Sequence, residues 1–220
     1  IVISKKTKIS SNPDDNTMFL DEVSTAQKYT DELNSQGVDR VILLSHFGYE
    51  NDLALAQKTS GIDIIVGGDS HSLLGDLSDL GLKPSGSYPT MVNDASGNDV
   101  CVVTAWEYSQ IVGELHAEFD GQGNITSCMG TPHMMLADSF KRKNADGERV
   151  EIEEGYRDAV YSVIKVNPSL SIVEPDVDAQ ALLAGYSSKI DEFSSKIIGS
   201  VSEDLCLERI PGQGKSKMCD

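Results

Sequence analysis

The segment from Ile42 to Gly75, ILLSHFGYENDLALAQKTSGIDIIVGGDSHSLLG, constrains this chain more than any other. Val41-Ile42-Leu43-Leu44 is a short aliphatic and β-branched run, which predicts a strand buried on both faces. Ser45, His46 and Gly48 follow directly, so His46 falls where strand gives way to loop. Asp52 to Thr59 reads as a short helix, and Ile62-Asp63-Ile64-Ile65-Val66 as a second buried strand ended by Gly67-Gly68 and then Asp69-Ser70-His71. A strand-helix-strand unit makes its two strands parallel, because the crossover must return the chain to the same end of the sheet. Both polar clusters then emerge at one carboxyl edge, where open α/β sheets place their ligands.

Imidazole and carboxylate groups at neighbouring strand ends suit a borderline divalent cation such as zinc or manganese. The paired glycines permit tight or left-handed turns that aim Asp69 and His71 back towards one point. Two histidines and one aspartate are not by themselves a metal signature. Local hydrogen bonding at loop edges accounts for them equally well.

The stretch Leu44-Ser45-His46-Phe47-Gly48, then Asp52, Leu55-Ala56, Gly61-Ile62-Asp63 and Val66-Gly67-Gly68 leading to Ser70, resembles the metal-dependent 5'-nucleotidases. These are the secreted, two-domain relatives of the calcineurin-like metallophosphoesterases. Supporting pattern continues through Tyr88-Pro89-Thr90, Val100 to Trp106, Val112 to Leu115 and Phe119 to Asn124, so the resemblance runs over most of the chain. It implies an α/β fold, part of a four-layer α-β-β-α sandwich with mixed sheets. It also implies two divalent metal ions (zinc, manganese or magnesium), with His46 and Asp69 on one and His71 on the other. The family usually has histidine at the position of Asp69. Aspartate is a harder oxygen donor and adds charge, which would shift preference towards manganese or magnesium.

Relatives also carry an Asp-x-His motif, a bridging aspartate and an Asn-His pair on earlier strands, the last supplying the catalytic histidine. Nothing before Ser45 offers these, and the chain's histidines are His46, His71, His116 and His133. The resemblance therefore implies an internal piece of a longer enzyme, with residues 1–174 from the metal domain and 175–220 forming a linker helix and the start of a nucleotide-specificity domain. It implies about half a metal site, no catalytic residue and little or no activity without the missing upstream and downstream segments. The implied substrate is a nucleoside monophosphate or related small phosphate ester, and the implied location extracellular, cell-surface or periplasmic. A non-catalytic binding or scaffold domain, a 2',3'-cyclic nucleotide phosphodiesterase and a nucleotide-sugar hydrolase of the same superfamily remain open.

A net charge of −17 over 220 residues excludes the basic footprint that a nucleic-acid polymer requires. It leaves small phosphate esters available, since bound cations can carry the attraction. No run is long enough to span a membrane. The opening IVISKKTKIS reads as a strand and loop, without the sustained apolar stretch of a signal peptide. Cys101 and Cys128 lie on predicted strands, and Cys206 and Cys219 flank a Pro-Gly loop. Two disulfides and four reduced thiols are both compatible with that spacing, which is unlike a zinc ribbon. Relatives often have a disulfide near the domain junction, where Cys206 and Cys219 fall. Asn124-Ile125-Thr126 is a glycosylation sequon.

Elsewhere, Thr17 to Gln36 predicts an amphipathic helix with Leu20, Val23, Ala26, Tyr29 and Leu33 inward. Val100–Ala105, Ile111–Phe119 and Ile125–Met129 predict a meander, and Asp138 to Gly147 a polar loop. Glu148–Val166 and Asp176–Ile198 predict helices. Trp106 reads as a packing residue and His116 as a structural histidine with satisfied hydrogen bonds, while His133 has no assigned role.

Overall fold

The computed structural model describes residues 1–202. Its first sheet has strands β1 (Ile42–Leu44), β2 (Ile64–Val66), β3 (Thr90–Asn93) and β4 (Asp99–Val103) in the order β1-β2-β4-β3. β1, β2 and β4 run parallel, with Ile64 opposite both Ile42 and Cys101, and β3 is antiparallel at the edge. The second sheet joins β5 (Ile111–Phe119), β6 (Ile125–Leu136) and β9 (Leu170–Ile172), while β7 (Lys141–Lys143) and β8 (Arg149–Glu151) form a separate hairpin. Helices are α1 (Ser4–Ser10), α2 (Glu22–Ser35), α3 (Tyr49–Ala56), α4 (Glu154–Val166) and α5 (Val177–Ser194). The fold is α/β with mixed sheets, as expected.

The main core is the seam between α2, α3 and the first sheet: Ala26, Tyr49, Leu55, Ala56, Ile62, Ile65, Val100 and Val102 are all buried there. Asp21 caps α2 by accepting from the Ser24 N–H at 2.9 Å, which satisfies a donor that the first turn leaves free. The helix thus starts later than its hydrophobic pattern predicts, leaving Leu20 outside it and 64% exposed. Its buried face carries Ala26 and Thr30 with Val23 alongside, while Tyr29 is turned outward. A second cluster of Leu73, Leu77, Ile111 and Leu170 takes in Trp106, Met134, Leu136 and Ile164 between the sheets and α4. Trp106 is therefore a packing residue, as its size suggests.

Several expectations change. β4 is the third parallel strand of the first sheet, so it does not belong to the β5-β6 meander. β1 is covered on one face only: Ile42 is 58% and Leu44 71% exposed, whereas a continuous apolar run predicts burial on both. Ile1-Val2-Ile3 leads into α1 through a single parallel bridge from Val2 to His46, where a loop was expected. β6 runs on to Leu136, so His133 lies within a strand, and the polar stretch after Asp138 pairs as the β7-β8 hairpin. His116 is 69% exposed on the outer face of β5, since it falls on the even positions with Val112 and Glu114. Asp176 caps α5 through the Ala179 N–H, yet that helix buries none of its residues; Tyr186, Ile190 and Phe193 all face out.

Cys101 on β4 and Cys128 on β6 are joined by a disulfide that ties the two sheets together. Cys206 and Cys219 lie outside the described residues. The bridge spans 27 positions, and closing such a loop removes unfolded-state entropy worth about 3–4 kcal/mol. Replacing both cysteines by serine should lower the melting temperature by roughly 10 °C in calorimetry. An unchanged transition would show that the bridge contributes nothing to stability.

Candidate functional site

The parallel register brings three chain exits to one level. Val66 pairs with Leu44 on one side and Val103 on the other, so the loops starting at Ser45, Gly67 and Thr104 leave the sheet together. These loops carry His46, Asp69, His71 and Glu107.

Asp52 fastens the loops from below. It is fully buried in α3, and its Oδ1 accepts from the Ser45 hydroxyl at 2.5 Å, while Ser45 Oγ accepts from the Phe47 N–H at 3.1 Å. The other carboxylate oxygen has no hydrogen-bond partner among the described residues. It lies against Gly67, where an added Cβ would come within 2.4 Å of it. A Cβ at Gly68 would sit 3.1 Å from His46 Nδ1, a tight contact that the exposed imidazole would have to shift to relieve. The paired glycines thus serve close approach. The left-handed backbone falls instead on Asp69, with φ 75°, and on His71, with φ 50°. Such conformations are uncommon for residues with side chains and accumulate at functional sites. Ser70, between them, accepts from the Tyr49 N–H at 3.0 Å and so ties this loop to the start of α3.

His46 Nε2 stands 3.4 Å from Asp69 Oδ1. Two donors at ~2.1 Å from one ion with tetrahedral angles stand about 3.4 Å apart, so this pair fits two corners of a metal site. His71 opens onto the same cavity of about 230 Å3, with Ile3, Lys6, Thr7, Ser10 and Ser11 of the α1 region as the opposite wall. His71 turns its Nδ1 to Glu107 Oε2 at 2.9 Å and packs edge-on against Tyr108 at 5.1 Å. A carboxylate on Nδ1 fixes the tautomer that leaves the Nε2 lone pair free, the arrangement that orients metal-binding imidazoles. Among the described residues, no three His, Cys, Asp or Glu side chains converge closely enough to hold an ion. The site as described has a donor pair and one oriented imidazole.

Sequence reasoning brought His46, Asp69 and His71 to one edge but missed Lys6 and Glu107. Lys6 Nζ lies 2.6 Å from Asp69 Oδ1. Glu107 was legible in principle, because it follows the carboxyl end of a parallel strand; reading β4 as part of a meander hid it. His116 and His133 both approach Glu114 on the second sheet, at 2.7 and 2.8 Å, and their hydrogen bonds hold its carboxyl below the usual range. They take no part in this cavity. A larger crevice of about 340 Å3 at the amino ends of the strands contains Asp39, Asp63, Asp94 and Asp99. Two of its carboxylates secure backbone, Asp63 accepting from Val41 N–H and Asp94 from Ser96 and Asn98 N–H, while Asp39 meets Arg40 and Asp99 accepts from the Asn93 amide.

No protein-family model matches the chain. Individual relatives do. It is 37% identical over 201 residues to a probable 5'-nucleotidase of Treponema pallidum, covering 90% of this chain and 34% of that protein. With the NAD 5'-nucleotidase of Haemophilus influenzae it shares 34% identity over 218 residues, 96% of this chain and 36% of the relative. The solved structure of Haemophilus influenzae NAD nucleotidase superimposes with a TM-score of 0.81 at 34% identity, over 90% of this chain and 40% of that one. A 5'-nucleotidase precursor from Thermus thermophilus gives a TM-score of 0.63 at 31% identity, over 88% and 32% respectively. Fold and sequence together define an α/β protein with mixed sheets, of the kind seen in the solved 5'-nucleotidase structures. The chain belongs to the 5'-nucleotidase family and spans about a third of the length of the curated relatives it matches.

Burial raises the carboxyl of Asp52 from 3.8 to about 6, opposed by the Ser45 hydroxyl and more weakly by the N-terminal ammonium and His46. The folded state therefore holds this proton more tightly than the unfolded chain. The group favours folding below about pH 4, and that contribution, on the order of 2–3 kcal/mol, is lost as pH rises through about 6. Asp52→Asn removes the titration while keeping the shape. The fall in melting temperature between pH 4.5 and 7.5 should shrink by roughly 5–10 °C in the variant. An identical pH profile would show that Asp52 ionises normally.

Proposed function

We propose that this chain supplies part of the metal site of a 5'-nucleotidase-type enzyme that hydrolyses nucleotide phosphate monoesters. The observation that carries the reading is the approach of His46 Nε2 to Asp69 Oδ1, opening with His71 onto one cavity at the carboxyl edge of parallel strands. His46 and Asp69 would hold one divalent ion, manganese, magnesium or zinc, and His71 would bind or orient at a second. Bound ions would supply a water of lowered pKa and neutralise the phosphoryl oxygens. The protein's own part is positional. Asp52 and Ser45 fix the His46 loop, Glu107 keeps a proton on His71 Nδ1, and the Gly67-Gly68 approach lets Asp69 reach His46.

The remaining donors and the catalytic acid are proposed to come from other segments of the same enzyme. The one-third coverage of the relatives supports this, as does the two-donor count here. A boundary near residue 175 is supported by α5, which buries none of its residues, with 1–174 in the metal domain and 175–220 leading to a specificity domain. An exported location is proposed from the Cys101–Cys128 disulfide, since such bonds persist in oxidising compartments. No helix among the described residues is long and apolar enough to cross a membrane. The contact of Lys6 with Asp69 favours one alternative, a metal-free scaffold derived from the enzyme, and the same assay separates the two.

Phosphate release from AMP and from NAD is the test, with and without manganese or zinc, for the 220-residue chain and for a version extended upstream. The short chain should be inactive and the extended protein metal-dependent. His46→Ala in the extended protein should cut kcat/KM by about 100-fold or more, since even groups that only orient metal ligands cost 10–100-fold. Full activity in that variant would remove His46 from the site.

A further inference from the structure

Asp69 is held by two groups of different kinds. His46 approaches it at 3.4 Å, and the Lys6 ammonium lies closer, at 2.6 Å from the same Oδ1 atom. The Asp69 side chain is 11% exposed and that of Lys6 44%. The carboxylate is thus largely withdrawn from water and depends on protein for its counter-charge, while the lysine stem reaches in from the cavity rim. Lys6 sits on α1, a two-turn helix that buries no residue and whose Lys6, Thr7 and Ser10 form the far wall of the cavity. A positive group on a loosely held element covers the one anionic donor of the proposed site.

We infer that Lys6 is a tethered counter-ion that competes with a divalent cation for Asp69. This inference rests on the reading of His46 and Asp69 as a metal-binding pair. One oxygen cannot serve an ammonium at 2.6 Å and a divalent ion on the same side, and like charges at that spacing repel. Occupation by a metal therefore requires Lys6 to swing away, which its exposed stem and the light packing of α1 permit. Without metal, the pair keeps a buried carboxylate from standing uncompensated beside His46, a position that would otherwise carry a desolvation cost. Lys6 is a positioning residue in this account: it sets how tightly, and against what competition, the site takes up its ion.

The test is manganese(II) binding to the upstream-extended protein, which would carry the remaining donors, followed by calorimetry and by loss of the free-ion electron paramagnetic resonance signal. Lys6→Met should tighten binding about five- to tenfold relative to the parent, the order expected when a competing, partly exposed ion pair is removed. Lys6→Arg retains the charge and should bind like the parent. Within an Asp69→Asn background, Lys6→Met should change affinity less than about twofold, whereas a merely structural effect of Lys6 on α1 would persist there. Equal affinity in parent and Lys6→Met, with binding lost in His46→Ala, would overturn the counter-ion role and leave the metal pair standing. No binding by any variant, Lys6→Met included, would overturn both.

Discussion

Every feature of the site depends on the register of three short parallel strands. Because Val66 stands level with Leu44 and Val103, the chain leaves β1, β2 and β4 in one plane, and loops far apart in sequence begin within a strand spacing of each other. Strands of three to five residues could not hold that register alone. Ile64 and Ile65 are buried in the middle of the sheet, and Leu55 and Ala56 of α3 are packed into the same core with no exposure. A one-residue slip would turn these side chains to the opposite face, so hydrophobic burial fixes the positions of the polar groups.

Above that sheet, precision comes from a buried carboxylate. Asp52 belongs to the crossover helix, yet its two oxygens face the two loops on either side: Ser45 against one, Gly67 against the other. A charged group without water is costly, and here the cost appears as a carboxyl that holds its proton to about pH 6. The Ser70 hydroxyl makes a further tie, accepting from the first N–H of α3. The left-handed backbone at Asp69 and His71 persists because both flanks of their loop are held this way. The cavity thus has one wall tied by Asp52 and Ser70, and opposite it α1, which buries none of its residues and is joined to α2 through Ser4 and Glu22.

Charge follows the same division. The chain is strongly acidic, yet the carboxylates of the crevice at the amino ends of the strands are committed to backbone N–H groups or neighbouring side chains. At the carboxyl edge, Asp69 meets a lysine and a histidine, and Glu107 meets His71. Acidic groups facing basic partners across an open cavity are the ones available for exchange with a cation.

The strand-helix-strand unit, its parallel sense and the gathering of His46, Asp69 and His71 at one edge were legible in sequence, because period, crossover length and loop composition are local properties. So was the helix capped by Asp176, whose apolar stripe and flanking Pro175 mark it without reference to any partner. What sequence could not settle was non-local. Val100 to Val103 has the same apolar pattern whether it pairs with β2 or with β5, and only the packed core chooses the parallel partner that delivers Glu107 to His71. The paired glycines announced a special backbone, but tertiary contact with Asp52 and His46 decided that they permit close approach while the left-handed turns fall on their neighbours. Lys6 carries no motif at all: it is 63 residues from Asp69, and their contact exists because the opening segment bridges through Val2 to His46, just past β1. Sequence by itself determined which chemistry the chain carries and at which edge of the sheet; tertiary structure decided which charges meet there, because pairing between distant segments is set by burial and register that no local pattern encodes.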